Sequence, residues 1–207
     1  MVRRATEPDP RLAALEETHV RELTEFIREV LRTEDSKVPN VDPTDGGARA
    51  RALFLLESPG RKAVASRFVS FDNPDASAGN MKKLLKFANI ERNEVLLWNV
   101  FPYCVSTEQK NGNATRRQIL DALPETTAFI DILRESLLVV VLCGRRAQWA
   151  AEGLKAILPN TVTLLQTFHP AARSYNQPKQ RSDMERTFAE VAKIISRGRA
   201  LNHSPSL

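Results

Sequence analysis

Four short apolar runs set the rhythm of the chain: Leu53-Phe54-Leu55-Leu56, Val95-Leu96-Leu97-Trp98, residues 137–142 and residues 162–165. Each is short for a helix and is bounded by polar or turn residues, which reads as a strand buried on both faces inside a parallel sheet. Between them the apolar spacing changes to threes and fours. Leu12, Leu15, Leu23, Phe26, Ile27, Val30 and Leu31 form a stripe on a charged rod and predict a packing helix from Arg11. A second helix is predicted through about Ala88, with Ser77 as its cap and Met81, Leu84, Leu85 and Ala88 on one face. Ile119, Leu120, Phe129, Ile130 and Leu133 predict a third, interrupted or restarted at Pro124. Trp149 and Leu154 sit on a fourth, between Arg145 and Leu158, and a fifth spans about Asp183 to Ser196. Residues 35–47, 61–75 and 101–115 lack a period and hold Pro39, Pro43, Asp45-Gly46-Gly47, Asn73-Pro74, Pro102 and Asn111-Gly112-Asn113, so they read as loops.

Strand and helix alternate, and no hairpin-length turn joins successive strands. This predicts an α/β fold, a three-layer α/β/α sandwich with a central four-stranded parallel sheet and right-handed crossovers. At 207 residues the chain suits one domain, expected over 11–197, with flexible tails at 1–10 and 198–207.

The polar residues that close the runs matter next. Glu57-Ser58-Pro59-Gly60 ends the first strand, Asn99 the second, and Phe168-His169-Pro170 follows the fourth. Each is an ordinary feature by itself: a strand and turn, an Asn in a turn, a His in a loop. In a parallel sheet, however, all of them fall on the carboxyl edge, where ligands bind in open α/β folds.

Charge and cysteine content narrow the class. Thirty Lys and Arg against 25 Asp and Glu permit a polyanionic partner without requiring one. Cys104 and Cys143 have no C-x-x-C partner, so thiolates assemble neither a zinc site nor an iron-sulfur cluster, and both read as reduced thiols in a cytosolic protein. No apolar run approaches membrane-spanning length, and the polar first ten residues do not read as a signal peptide. A Gly-rich phosphate fingerprint follows none of the strands, which disfavours a doubly wound nucleotide binder.

Leu56-Glu57-Ser58-Pro59-Gly60, Leu96-Leu97-Trp98-Asn99 and His169-Pro170-Ala171-Ala172-Arg173 together resemble the uracil-DNA glycosylase superfamily, over residues 50–176. The family's motifs are a first loop of the form G-x-x-P-G or G-x-x-P-Y, an Asn closing the second strand and a His-Pro-Ser loop after the fourth; Leu56 and Ala171 depart from them. Phe68-Val69-Ser70 to Ala78-Gly79 is similar to a segment of the thermophile-type branch, but the cluster cysteines of that branch are missing. The match is to a cluster-free bacterial-type branch.

The resemblance implies a monofunctional hydrolase that removes uracil from DNA in base excision repair, with no metal or redox cofactor. It implies a cytoplasmic monomer whose partner is DNA containing uracil or another deaminated base. Asn99 would read the base edge, since a carboxamide offers one acceptor and a donor to N3–H and O4 of uracil and mismatches cytosine. His169 would hydrogen-bond O2 as negative charge develops there. Ser58 stands where relatives carry Asp or Asn to position water; Glu57 could act as the carboxylate instead, or Ser58 and a backbone carbonyl could orient the water. Phe71 or Phe68 would stack on the extruded base, spacing favouring the first and the Phe-Val-Ser wording the second. Gly60 replaces a Tyr that in one branch blocks the thymine methyl. Arg173 occupies the wedge position, with Arg61, Lys62, Lys179 and Arg181 as phosphate contacts. Alternatives are the same chemistry on hypoxanthine or a 5-modified uracil, or a catalytically silent DNA-binding, damage-sensing module, the last suggested by Ser58 and Ala171.

Overall fold

A computed structural model describes residues 9–34, 36–107, 109 and 112–202. The amino-terminal stripe forms two helices, α1 (Arg11–Ala14) and α2 (Thr18–Phe26), because Glu17 is extended and separates them at the start of α2. A π-helical turn, Ile27–Leu31, continues α2. Leu23, Ile27 and Leu31 are buried as the spacing predicts, and Val20, outside the predicted stripe, is buried with them, but Val30 is exposed. A turn closed by i→i+5 bonds shifts the angular phase of the stripe.

The strands β1 (Asn40–Val41) and β3 (Phe68–Val69) pair in parallel within two segments read as loops. The main sheet contains β2 (Ala52–Leu56), β4 (Val95–Asn99), β5 (Val139–Cys143) and β6 (Thr163–Thr167), in the order β4-β2-β5-β6 and parallel throughout. The expected four-stranded parallel sheet is present, with β5 and β6 lying slightly downstream of the apolar runs. From β2 the chain crosses to β4 on one side and then returns to β5 on the other. The switch point, where a crevice opens at the carboxyl ends, therefore lies between β2 and β5.

Residues 61–66, read as loop, form α3 (Arg61–Ser66), which Gly60 precedes in extended conformation and Arg67 ends with a left-handed φ of 68°. The next helix, α4 (Ala76–Ala88), is capped by Asp75, whose carboxylate accepts the Ala78 N–H at 3.0 Å, rather than by Ser77. Thr115 and Gln118 form a reciprocal capping box that starts α5 (Arg116–Asp121). Pro124 lies in the first turn of α6 (Leu123–Leu133), so the proline restarts a helix where its missing N–H is harmless. After β5 come a 3-10 turn, Ala147–Ala150, and α7 (Ala151–Ile157); after β6 come α8 (Ala172–Tyr175) and α9 (Pro178–Asn202). The last helix begins before 183 and runs past 196, so residues 198–202, expected in a tail, are helical. Residues 1–8, 203–207 and Asn111, the remainder of the expected tails and one residue of the Asn-Gly-Asn turn, lie outside the described residues. Among the described residues no helix is long and apolar enough to cross a membrane.

Sheet register explains the three layers. Phe54 is level with Leu97 and Trp98 with Leu55, so Phe54 and Trp98 point to opposite faces. Phe54 stacks on Phe188 of α9 at 4.7 Å between centroids, and Trp98 stacks on Phe129 of α6 at 4.7 Å. All four rings are buried, and each contributes roughly 1.5–3 kcal/mol by leaving water.

The loop after β1 is held by buried charge. Arg92 donates through Nε to Asp45 at 2.7 Å, lies 3.1 Å from Asp42 through Nη2 and also pairs with Asp72; Arg11 donates to Asp42 at 2.9 Å. The Asp42 and Asp45 side chains are both fully shielded from solvent. Burial pushes Asp45 up to about 8, against the pull of Arg92. A carboxyl whose folded pKa is raised favours the native state below its unfolded value and loses that contribution as pH rises through about 8. Asp45→Asn should therefore make thermal stability less sensitive to pH over that window, with the gap to wild type moving in the variant's favour as pH rises. Parallel melting curves for the two proteins across the window would sink this reading.

Candidate active site

A cavity of about 720 Å³ opens at the carboxyl edge of the sheet, and Glu57, Ser58, Gly60, Asn99 and His169 all line it. Strand geometry brings them there. The β2–β4 pairing continues beyond the strands, with Val100 N–H donating to Leu56 O at 2.9 Å and Phe101 N–H to Glu57 O at 3.0 Å. Asn99 is thereby set level with Leu56, one step before Glu57. Its side chain is buried at 2 % exposure, and its Oδ1 has no hydrogen-bond partner among the described residues. An unpaired buried acceptor costs about 1–3 kcal/mol, a deficit that a ligand donor in the cavity would remove.

Glu57 is firmly placed. One carboxylate oxygen accepts the Ala114 N–H at 2.6 Å, and the other lies 3.5 Å from Arg146 Nη1, which also donates to Asn113 Oδ1 at 2.9 Å. Burial raises the Glu57 pKa above the ordinary glutamate value, while the Ala114 bond and the Arg146 charge pull it back. The result is a carboxylate with increased basicity and fixed orientation.

His169 Nδ1 accepts the Ala171 N–H at 3.1 Å, so the neutral ring carries its proton on Nε2. Burial lowers the His169 pKa, and Asp75, another cavity-lining carboxylate, opposes that shift. Near neutral pH the ring is thus an uncharged donor. Two neighbours fix its loop. Asn80, buried on α4, donates from Nδ2 to Pro170 O at 2.8 Å. Gly144 has φ +96°, and a Cβ there would lie 2.8 Å from His169 Cβ, so glycine is required both by the backbone and by the approach of the ring.

Arg61 and Lys62, in the first turn of α3, line the cavity. Arg173 is exposed on α8, while Lys179 and Arg181 lie in the first turn of α9; none of these three reaches the cavity lining, and Arg181 lies 3.7 Å from Glu185. Phe68 and Phe71 require a correction. Both are fully buried and neither lines the cavity. Pairing with β1 turns Phe68 and Val69 to opposite sides, and Val69, with Ser70 just past the strand, lines the cavity. The Arg11 guanidinium covers Phe68 at 4.2 Å from the ring centroid, and Arg92 lies 5.6 Å from that of Phe71.

Asp75, Asn80, Gly144 and Arg146 did not emerge from the sequence as site residues. Asp75 had a usable signal, an acid after Asn-Pro at the start of a helix, the position of a cap. Gly144 reads along the chain only as a break after the third strand. Arg146 gains its place from strand order, since β5 lies beside β2 at the switch point.

Residues 43–193 match the family described as the Uracil DNA glycosylase superfamily, which takes in well over half of the chain. A search of curated proteins found no match.

Proposed function

The chain belongs to the uracil-DNA glycosylase superfamily, glycosylases that act on DNA, and we propose that this member is a monofunctional enzyme hydrolysing the bond between deoxyribose and uracil in base excision repair. The observation that carries the reading is the buried Asn99, with its unpartnered acceptor, in the same cavity as a His169 whose Nε2 bears the proton. An extruded uracil meets both. Asn99 Oδ1 accepts from N3–H and Nδ2 donates to O4. His169 Nε2–H donates to O2, where charge accumulates as the sugar C1′–N1 bond breaks.

The electron pair leaves with the base, and the sugar becomes cationic. Glu57 stabilises that cation and takes a proton from the water whose oxygen bonds C1′; Ser58 orients the water. Arg173 fills the gap left by the extruded nucleotide, and Arg61, Lys62, Lys179 and Arg181 contact phosphates. The test uses labelled oligonucleotides carrying uracil, hypoxanthine or 5-hydroxymethyluracil, followed by alkaline cleavage of abasic sites. Strand scission at uracil is expected. Tight DNA binding without scission at any of these bases would instead support a silent damage-sensing module, in keeping with Ser58 and Ala171.

One observation favours a broader range of bases. A Cβ built on Gly60 meets nothing within 4 Å, so the cavity is open at the position from which a larger side chain would confront the 5-substituent of a pyrimidine. Hypoxanthine also presents an N–H donor beside a carbonyl, which Asn99 reads in the same order. Gly60→Tyr is therefore expected to lower excision of 5-hydroxymethyluracil relative to uracil by roughly 10- to 100-fold, the scale of a steric mismatch in a pocket. Competition between the two substrates in one reaction measures that ratio, and an unchanged ratio would place the 5-position elsewhere.

A further inference from the structure

We infer that a second, basic cavity, bounded by α2, its π turn and the junction of α3 with β3, binds backbone phosphates of the DNA flanking the extruded nucleotide. The inference rests on the reading of DNA as the substrate. The cavity, of about 390 Å³, is lined by Arg28, Arg32, Lys37 and Arg67, with Glu16 the one acid among its lining residues. None of those four cations forms an ion pair among the described residues. Elsewhere Arg11, Arg92, Arg146 and Arg199 each meet a carboxylate.

The groove is also built, rather than a chance gathering of mobile side chains. Arg32 donates to Val38 O at 3.2 and 3.1 Å and to Asn40 Oδ1 at 2.7 Å, all neutral acceptors that orient the guanidinium and leave its charge uncompensated. The same Asn40, 4 % exposed, donates through Nδ2 and its backbone N–H to Arg67 O at 3.2 and 2.7 Å. One buried amide thus ties two cationic residues to one wall, and Arg67 accepts a left-handed backbone to be there. Burial, and after it the charge of neighbouring Arg28, weighs against the charge on Arg32. Such repulsion is relieved by a bridging anion.

The position of the groove selects a DNA phosphate over a free anion. Arg61 and Lys62, at the start of α3, line the first cavity, and Arg67, just past its end, lines the second. Six helical residues rise about 9 Å. Each strand carries one phosphate per about 3.4 Å of duplex axis, so a groove displaced by that rise along the axis falls roughly two to three nucleotides from the extruded base.

The experiment compares full-length wild type with an Arg28→Gln, Lys37→Gln, Arg67→Asn variant, asparagine being tolerant of the left-handed backbone. On a long uracil-containing duplex the variant should bind more weakly. The slope of log K against log salt should fall by about one for each phosphate left without its cation, with the single-turnover rate at saturating DNA unchanged. On a substrate trimmed to one nucleotide either side of uracil, the two proteins should bind alike. Arg28→Gln alone, on the exposed face of the π turn, gives the same test with a smaller effect if the triple variant fails to fold. Equal salt slopes on the long duplex would overturn the groove, as would a binding loss that persists on the trimmed substrate. If inorganic phosphate stabilises wild type but not the variant while DNA binding is identical, the groove holds a small anion and the DNA placement fails. Wild type that binds no DNA refutes the underlying glycosylase reading instead, so the two failures are distinct.

Discussion

Asn99→Asp is expected to lower the single-turnover rate of uracil excision by on the order of 10³-fold or more. The wild-type side chain presents one acceptor and one donor to N3–H and O4; an aspartate presents acceptors only, setting a carboxylate against the O4 carbonyl. A site built to hydrogen-bond its substrate discriminates strongly when the pairing is broken, by up to about 10⁴–10⁵-fold, because buried polar groups are left unmatched. Asn99 is buried at 2 % exposure, so solvent cannot restore the broken pairing. The variant should keep its affinity for undamaged DNA, since phosphate contacts dominate that binding. Wild-type excision kinetics in Asn99→Asp would remove this residue from base recognition.

Glu57→Gln should slow the chemical step by about 10²-fold or more, the usual scale for losing a general base, while DNA binding changes little. The amide is close to an isostere and can still accept the Ala114 N–H that the carboxylate accepts at 2.6 Å, so the loop remains anchored. On the proposed mechanism, what disappears is the negative charge beside the cationic sugar and the base that receives the water's proton. The pH dependence supplies a second readout. Burial holds the Glu57 pKa above the ordinary 4.5, and the carboxylate is the active form, so wild-type single-turnover rates should fall as pH drops through that raised value. Glu57→Gln should lack this acid limb. Ser58→Ala should cost less, and Ser58→Asp could raise the rate by adding a second water ligand. A glutamine variant with wild-type rate and profile would assign the water to another group, with His169→Ala the next substitution to measure.

Both predictions rest on features with different visibility in the sequence. Leu53 to Leu56 and Val95 to Trp98 reveal buried strands because an apolar run bounded by polar residues is a local property of the chain. Alternation with helical segments then leaves a parallel sheet as the simple arrangement, and parallelism alone places Glu57, Asn99 and His169 on one edge. Helix boundaries were less legible. Ser77 and Asp75 are both competent caps, and the choice between them depends on where the preceding loop leaves the chain. The segment with Arg61 to Ser66 has too few residues to show a period, so α3 emerges only once Gly60 and Arg67 adopt their backbone conformations.

The chain by itself determined which polar residues close the strands and the end of the sheet at which they gather, since both follow from residue type and the direction of successive strands. Tertiary structure alone decided what each residue faces. Phe68 and Phe71 are aromatic in any reading, but the β1–β3 pairing and the overlying Arg11 and Arg92 direct them into the protein. The proton sits on Nε2 of His169 because the folded loop presents the Ala171 N–H to Nδ1. Arg146 approaches Glu57 because β5 lies next to β2, although the two are 89 positions apart in sequence. Hydrophobic spacing reports the burial of each segment separately; these pairings arise between segments, through strand order and the few ångströms over which a hydrogen bond or ion pair acts.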